Sequence, residues 1–146
     1  MTDTSQALKT ARDYYNSHDA HTFYNTIWGG EDLHIGTYRL PEDTIFDASR
    51  RTVQKMAGLS ERLGDHSTVL DLGSGIGGSA RYLAKTYGCQ VVALNLSEVE
   101  NERHRSMNKE QGVDHLIEVI DGNFESVPKQ DDSFDLVWSQ DAILHT

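Results

Sequence analysis

Three features of the sequence predict an α/β fold built on a parallel sheet. Short apolar runs at Val69 to Leu72, Val91 to Leu94, Leu116 to Ile120 and Phe134 to Trp138 read as buried strands. Helical stretches separate the first three of them, and a glycine-rich turn, Gly73-Ser74-Gly75-Ile76-Gly77-Gly78, joins the first strand to its helix. The resulting βαβαβ…β order is half of a doubly wound sheet, in which ligands bind beyond the carboxyl ends of the strands.

Taken in order, Ala7, Leu8, Ala11, Tyr14 and Tyr15 fall on one face of a helix running from Ala7 to Ser17, a lid or a brace. Residues Phe23 to Tyr38 are aromatic and interrupted by Gly29, Gly30 and Gly36, which predicts a shaped loop. Leu40-Pro41-Glu42-Asp43 breaks the chain and opens a long helix with Ile45, Ala48, Val53, Met56, Leu59 and Leu63 on its inner side. Gly64-Asp65-His66-Ser67 turns into the first strand. After the glycine turn, Ala80, Leu83, Ala84 and Tyr87 keep helical spacing and Gly88 supplies a left-handed cap. The second strand ends at Asn95. Ser97 and Glu100 form a capping box for a very polar helix reaching about Gln111, expected to be a solvated outer helix with a thin apolar seam at Val99 and Met107. The third strand ends at Asp121-Gly122-Asn123-Phe124, and 128–133 is a surface turn before the fourth strand, which ends at Ser139-Gln140-Asp141.

The 146 residues suit one compact domain, with 1–64 expected as an N-terminal helical and aromatic lid segment and 65–146 as the α/β core. No apolar run approaches the ~18 residues of a membrane span, and the first residues lack a secretory pattern, so a cytoplasmic location is expected. Cys89 is the single cysteine, which excludes an internal disulfide and a thiolate zinc cluster, and the seven histidines show no ligand spacing, so no metal is expected. A net charge of −10 disfavours nucleic acid and anionic membrane and leaves a small molecule as the expected partner.

Gly73-x-Gly75-x-x-Gly78 fits a dinucleotide turn as well as an adenosyl one, and the neighbours separate them. A carboxylate at Asp71 would repel a pyrophosphate but suits a cationic amino group. S-adenosylmethionine fits, with its carboxylate near the helix N-terminus and its ammonium near Asp71.

At these residues the chain resembles the class I S-adenosylmethionine-dependent methyltransferases, whose first motif is an acidic residue followed by x-Gly-x-Gly-x-Gly; Asp71-Leu72-Gly73-Ser74-Gly75-Ile76-Gly77 matches it in full. The resemblance implies a Rossmann-like methyltransferase sheet preceded by N-terminal helices and apparently truncated after its fourth strand. It also implies that Asp71, Gly73, Ser74, Gly75 and Gly77 meet the methionine part of the cofactor and that Asn95 and Leu96 meet the ribose. Asn123 and the backbone N–H of Phe124 stand where the family reads the adenine, while Gln140, beyond the fourth strand at the ligand end of the sheet, is a further candidate cofactor contact. Asn95 stands where most of the family has an acid; an amide still bonds a hydroxyl.

Residues 27–36, 94–103 and 138–145 resemble, more narrowly, the sarcosine/dimethylglycine N-methyltransferases that make glycine betaine. This implies methyl transfer to a small amine. Phosphoethanolamine, tocopherol-pathway and coclaurine-type methyltransferases and cyclopropane synthases share parts of the pattern, so another small acceptor stays open. A nicotinamide oxidoreductase, disfavoured by Asp71 and Asn95, and a non-catalytic cofactor-binding or interaction fragment are the remaining alternatives.

For that chemistry Tyr14, Trp28, Tyr38 and Asp141 are the candidate substrate residues, and Tyr15, His34 and His145 the candidate catalytic ones. Aromatic faces suit a sulfonium or a methylated ammonium, and a histidine suits the proton that the amine must lose before it attacks. Arg39, Arg50 and Arg51 are available for an amino-acid carboxylate. In the strand order 3-2-1-4 that the resemblance implies, the fourth strand would be an open edge, open to self-association or to pairing with a complementary C-terminal half.

Overall fold

The computed structural model describes residues 2–23, 26 and 30–143. The elements run α1 (Thr2–Tyr15), α2 (His18–Phe23), α3 (Ile45–Ala57), β1 (Thr68–Leu72), α4 (Gly78–Tyr87), β2 (Gln90–Asn95), α5 (Glu98–Glu110), β3 (Ile117–Asp121) and β4 (Leu136–Ser139). The strands form one sheet in the order β3-β2-β1-β4 with every pair parallel. This is the sheet expected from the sequence: each crossover connection returns the chain to the same end of the sheet, so parallel neighbours line up their carboxyl ends.

Side chains alternate across the sheet, and the register sets Val69, Val91 and Ile117 side by side on one face, with Asp71, Ala93 and Trp138 one pleat further on. That face packs on Val53 and Ala57 of α3 and on Ala80, Leu83 and Ala84 of α4. On the opposite face Leu70, Val92 and Leu94 are buried too, which is why these strands read as continuous apolar runs. β4 lies at the sheet's edge and leaves Val137 58% exposed. Among the described residues no helix is long and apolar enough to cross a membrane.

Three elements depart from the sequence expectations. The helix expected to open at Pro41 begins at Ile45, because Asp43 Oδ2 accepts the backbone N–H groups of Arg39 and Leu40 to close a turn, and Thr44 then caps the helix by accepting from Asp47 N at 3.1 Å. The same helix stops at Gly58, so Leu59 is 82% exposed, while Leu63 reaches the core from the segment that follows. α5 does not use Val99 and Met107 as its seam: Val99 is 42% exposed, and the buried residues are Glu100, Asn101, His104 and Asn108. Phe23, read as the start of a loop, closes α2; residues 30–44 then carry neither helix nor strand.

Candidate active site

Backbone geometry explains the glycines. Gly73 and Gly77 have φ of 75° and 87°, a region that side chains avoid, and each also faces a neighbour that a Cβ would strike: the Cβ of Ala142 at 2.2 Å and Nε2 of His104 at 2.0 Å. The N–H groups of Gly73 and Ser74 donate to Leu94 O at 2.8 and 3.2 Å, which ties the turn to the end of β2.

Beyond the strand ends lies a cavity of about 460 Å³. The glycine turn contributes Gly73 and Gly75 to its wall, β2 and the start of α5 contribute Asn95, Leu96, Ser97 and Glu100, and the segment after β3 contributes Gly122, Asn123 and Phe124. Gln140, Asp141 and Ala142 come from the end of β4, Leu33, His34 and Ile35 from the N-terminal loop, and Leu8, Ala11, Tyr14 and Tyr15 from α1. Of the candidates read from the sequence, the structure therefore gathers His34, Tyr14, Tyr15, Gly73, Gly75, Asn95, Leu96, Asn123, Phe124, Gln140 and Asp141 around one space.

Others do not reach it. Asp71 points to the sheet face shared with Ala93 and Trp138, is 2% exposed, and its pKa is pushed up to about 7 by burial; it does not line the cavity. Ser74 and Gly77 are likewise absent from the lining, and Tyr38 is 53% exposed away from it. Arg50 and Arg51 are engaged by Asp32 at 2.8 Å and Asp43 at 2.7 Å, and neither they nor Arg39 lines the cavity. Trp28 and His145 lie outside the described residues. No group of side chains suited to hold a metal occurs among the described residues.

Contacts between distant segments hold the walls. Ile35 N donates to Asp141 Oδ2 at 2.8 Å, fastening the N-terminal loop to the end of β4, where Asp141 has a φ of 56°. His34 Nε2 lies 3.3 Å from Ser79 Oγ, which donates to Gln140 Oε1 at 3.3 Å. Burial lowers the His34 pKa to about 4, with Asp141 opposing the shift and Arg50 adding to it. On the other side, Asn16 accepts from Ser97 Oγ at 2.7 Å and donates to Glu98 Oε2 at 3.0 Å, and Arg12 pairs with Glu98. These bonds set α1 over the cavity. The Arg12 guanidinium and the Asn16 amide hold Glu98 down at about 2.

Sequence reasoning missed Leu33, Ile35, Ser79, Ser97 and Glu100 as site residues. Glu100 carried a signal, since it was singled out as the partner in a capping box. Ser97 Oγ does accept the Glu100 N–H at 3.2 Å, but the Glu100 carboxylate turns away to accept from Asn95 Nδ2 at 2.9 Å. Burial raises its pKa, and the bond from Asn95 opposes that shift. The Tyr15 hydroxyl pKa is raised by burial and by the nearby Glu100 charge.

A family profile described as a methyltransferase domain matches residues 69–146, the part that carries the glycine turn and all strand ends. The chain belongs to the methyltransferase-domain family. It is 67% identical over 141 residues to a sarcosine/dimethylglycine N-methyltransferase of Halorhodospira halochloris, covering 97% of this chain and 50% of that protein. It is 57% identical over 142 residues to a glycine/sarcosine/dimethylglycine N-methyltransferase of Actinopolyspora halophila, covering 97% of this chain and 25% of the relative. The crystal structure of a protein from Galdieria sulphuraria, provisionally named a sarcosine dimethylglycine methyltransferase, superposes with a TM-score of 0.80 at 39% identity over 88% of this chain and 50% of that one. The chain thus spans half or less of the length of these relatives. Membership of this family sets aside the nicotinamide alternative for the glycine turn.

Proposed function

We propose that this chain carries the methyl-donor site of an S-adenosylmethionine-dependent N-methyltransferase whose acceptor is a small amine such as sarcosine or dimethylglycine. The observation that carries the reading is the cavity itself: its walls are the glycine turn and the carboxyl ends of β2, β3 and β4, and its charged side chains are Glu100 and Asp141, with no lysine or arginine among the described lining residues. Such a lining suits a cationic ligand. Its volume of about 460 Å³ falls in the range of small-molecule sites. Gly73 and Gly75 leave the backbone open on one wall. The names of the relatives support the choice of acceptor.

The cofactor, when bound, supplies a methyl group on a cationic sulfur. What the chain's own residues do follows from their places. The N–H groups around Gly75 and the start of α4 would hold the carboxylate end of the ligand. Asn123 and Phe124, on the wall beyond β3, would border the base, and Tyr14 and Tyr15 would offer aromatic surface to positive charge, worth about 0.5–2 kcal/mol each where water is excluded. Asp141 offers a carboxylate to the amine while it holds Ile35, so acceptor binding and closure of the N-terminal loop share one group. Most of the available rate comes from such placement of reactants, up to about 7–11 kcal/mol.

The acceptor nitrogen must be neutral to attack. His34, with a pKa of about 4, is a weak proton acceptor near neutral pH, and its bond with Ser79 suits it to positioning Gln140 rather than to proton removal. In this reading the proton leaves to solvent or to His145.

Calorimetric titration with S-adenosylmethionine and S-adenosylhomocysteine, followed by transfer of a labelled methyl to sarcosine and dimethylglycine, tests the proposal. Saturable binding is expected, and Gly75→Val should abolish it: the added side chain projects into open space with only Leu33 Cδ1 at 3.8 Å, and the φ of 53° resists a branched residue. A folded chain that binds neither compound would overturn the reading.

A further inference from the structure

Residues 31–37 cross from α4 to α3 as a strap that is tied at both ends. Toward α3 the ties are neutral: Ser49 Oγ donates to His34 O at 2.8 Å, and Thr37 N donates to Ala48 O at 2.9 Å. Toward α4 they are charged. Glu31 Oε2 accepts from Arg81 Nε at 2.7 Å, and Asp32 Oδ2 pairs with Arg50 Nε at 2.8 Å. The strap lies so close on the first residue of α4 that a Cβ on Gly78 would stand 2.2 Å from both Asp32 Oδ1 and Glu31 O.

Asp32 is 2% exposed, and among the described residues its Oδ1 has no hydrogen-bond partner. Burial raises its pKa to about 6, with Arg50 opposing the shift, Glu31 adding to it and Arg81 opposing it. A carboxylate whose folded pKa lies above its unfolded value costs stability at neutral pH, a cost relieved as pH falls through about 6. The charge at Asp32 thus weakens the fold, and what it secures is a position. Arg50 is the group it holds. From α3, Arg50 also donates Nη1 to Gly78 O at 3.4 Å and sets its guanidinium 5.3 Å from the centre of the Tyr82 ring, so strap, α3 and α4 meet at one side chain. Between the tied ends Leu33 and Ile35 enter the cavity wall, and Leu33 Cδ1 is the atom that a Cβ on Gly75 would meet.

We propose that Asp32 and Arg50 are positioning residues for the amino-acid end of the methyl donor: their pairing fixes the strap on α4 and so sets Leu33 against the glycine turn. Neither residue lines the cavity, and both act through the strap. The assignment rests on the methyl-donor reading above, in which Gly75 faces that end of the ligand and Asn123 and Phe124 border the base.

The test is calorimetric binding of S-adenosylhomocysteine and of 5′-methylthioadenosine, which lacks the amino-acid end, to the full chain, to Asp32→Asn, to Arg50→Gln and to the double variant, with circular dichroism confirming each fold. Each single variant should bind S-adenosylhomocysteine about tenfold more weakly, the scale of a hydrogen bond to a charged group, and methylthioadenosine less than about threefold more weakly. The double variant should bind no more weakly than the poorer single one, because both substitutions break the same pair. Asp32→Asn should melt within a few degrees of the unmodified chain. Losses that multiply in the double variant would overturn the assignment by showing that the two residues act separately; this coupling is read from S-adenosylhomocysteine alone. Equal losses for the two ligands would overturn it by making the pair a support of the whole fold, and unchanged affinities would overturn it while leaving the methyl-donor site in place. No binding of either compound by the folded, unmodified chain would overturn the site itself.

Discussion

α4 and α5 are successive helices that contact the same two strands, and they are built on opposite plans. α4 buries Ala80, Leu83 and Ala84 in the apolar core, area removed from water, while its buried polar residues Ser79 and Arg81 bond to Gln140 and Glu31. The buried positions of α5 are Glu100, Asn101, His104 and Asn108. Each of these four has a specific neighbour. Asn101 Nδ2 donates to Asn95 O and to Asp121 Oδ1, joining the ends of β2 and β3. Asn108 Oδ1 accepts from Arg81, which in turn binds Glu31 at 2.7 Å. His104 packs its ring where a Cβ on Gly77 would lie. Glu100 takes Asn95. One helix holds the sheet together; the other sets where the strand ends, the glycine turn and the N-terminal loop stand relative to one another. Hydrophobic burial is non-directional, whereas hydrogen bonds fix distance and angle, so a helix that must position a site gains from a polar inner face.

If that contrast is right, the largest stability effect belongs to α4. Leu83→Ala, at a fully buried position, should cost about 2–5 kcal/mol in urea denaturation. The next effect should appear only in acid. His104 is fully buried and its pKa is pulled down to about 3, first by burial and then by Arg81 and Arg105. An unfolded histidine titrates near 6.5, so between those values the unfolded chain binds more protons and stability falls as pH drops through the window. Melting temperatures of His104→Leu should fall less than those of the unmodified chain between pH 6.5 and 4; parallel profiles would show that His104 is not held neutral. The smallest effects rank two residues of α5 against the usual hydrophobic order. Asn101→Ala should cost about 1–3 kcal/mol because it removes a fully buried side chain together with its two hydrogen bonds, to Asn95 O and to Asp121 Oδ1, whereas Val99→Ala, at a position 42% exposed, should stay within about 0.5 kcal/mol. A larger loss at Val99 would restore the apolar seam.

The same contrast separates what was legible from what was not. The glycine turn, the cap of α4 at Gly88 and the Ser97 cap of α5 could be read because each depends on backbone geometry within a few residues. The apolar strands and α4 were legible because burial on both faces of a parallel sheet leaves few polar options. The inner face of α5 was not, since a search for apolar residues at helical spacing finds Val99 and Met107 and passes over asparagines that only distant partners make useful. Arg50 and Arg51 are bound by Asp32 and Asp43, partners that nothing in the local sequence marks. The Glu100 side chain had two destinations compatible with its sequence context, the Ser97 N–H or the strand end, and nothing local chose between them.

By itself the sequence determined the element order, the parallel sheet, the place of the turn and the family, because these follow from hydrophobic period, glycine conformation and crossover handedness acting over short stretches. Only the tertiary structure decided which polar side chains face the cavity. Asp141 and the Ile35 N–H are 106 residues apart in the chain, and Ser97 and Asn16 are 81 apart. A carboxylate or an amide takes its orientation and its proton affinity from the groups packed against it, and those are chosen when the sheet and its helices close.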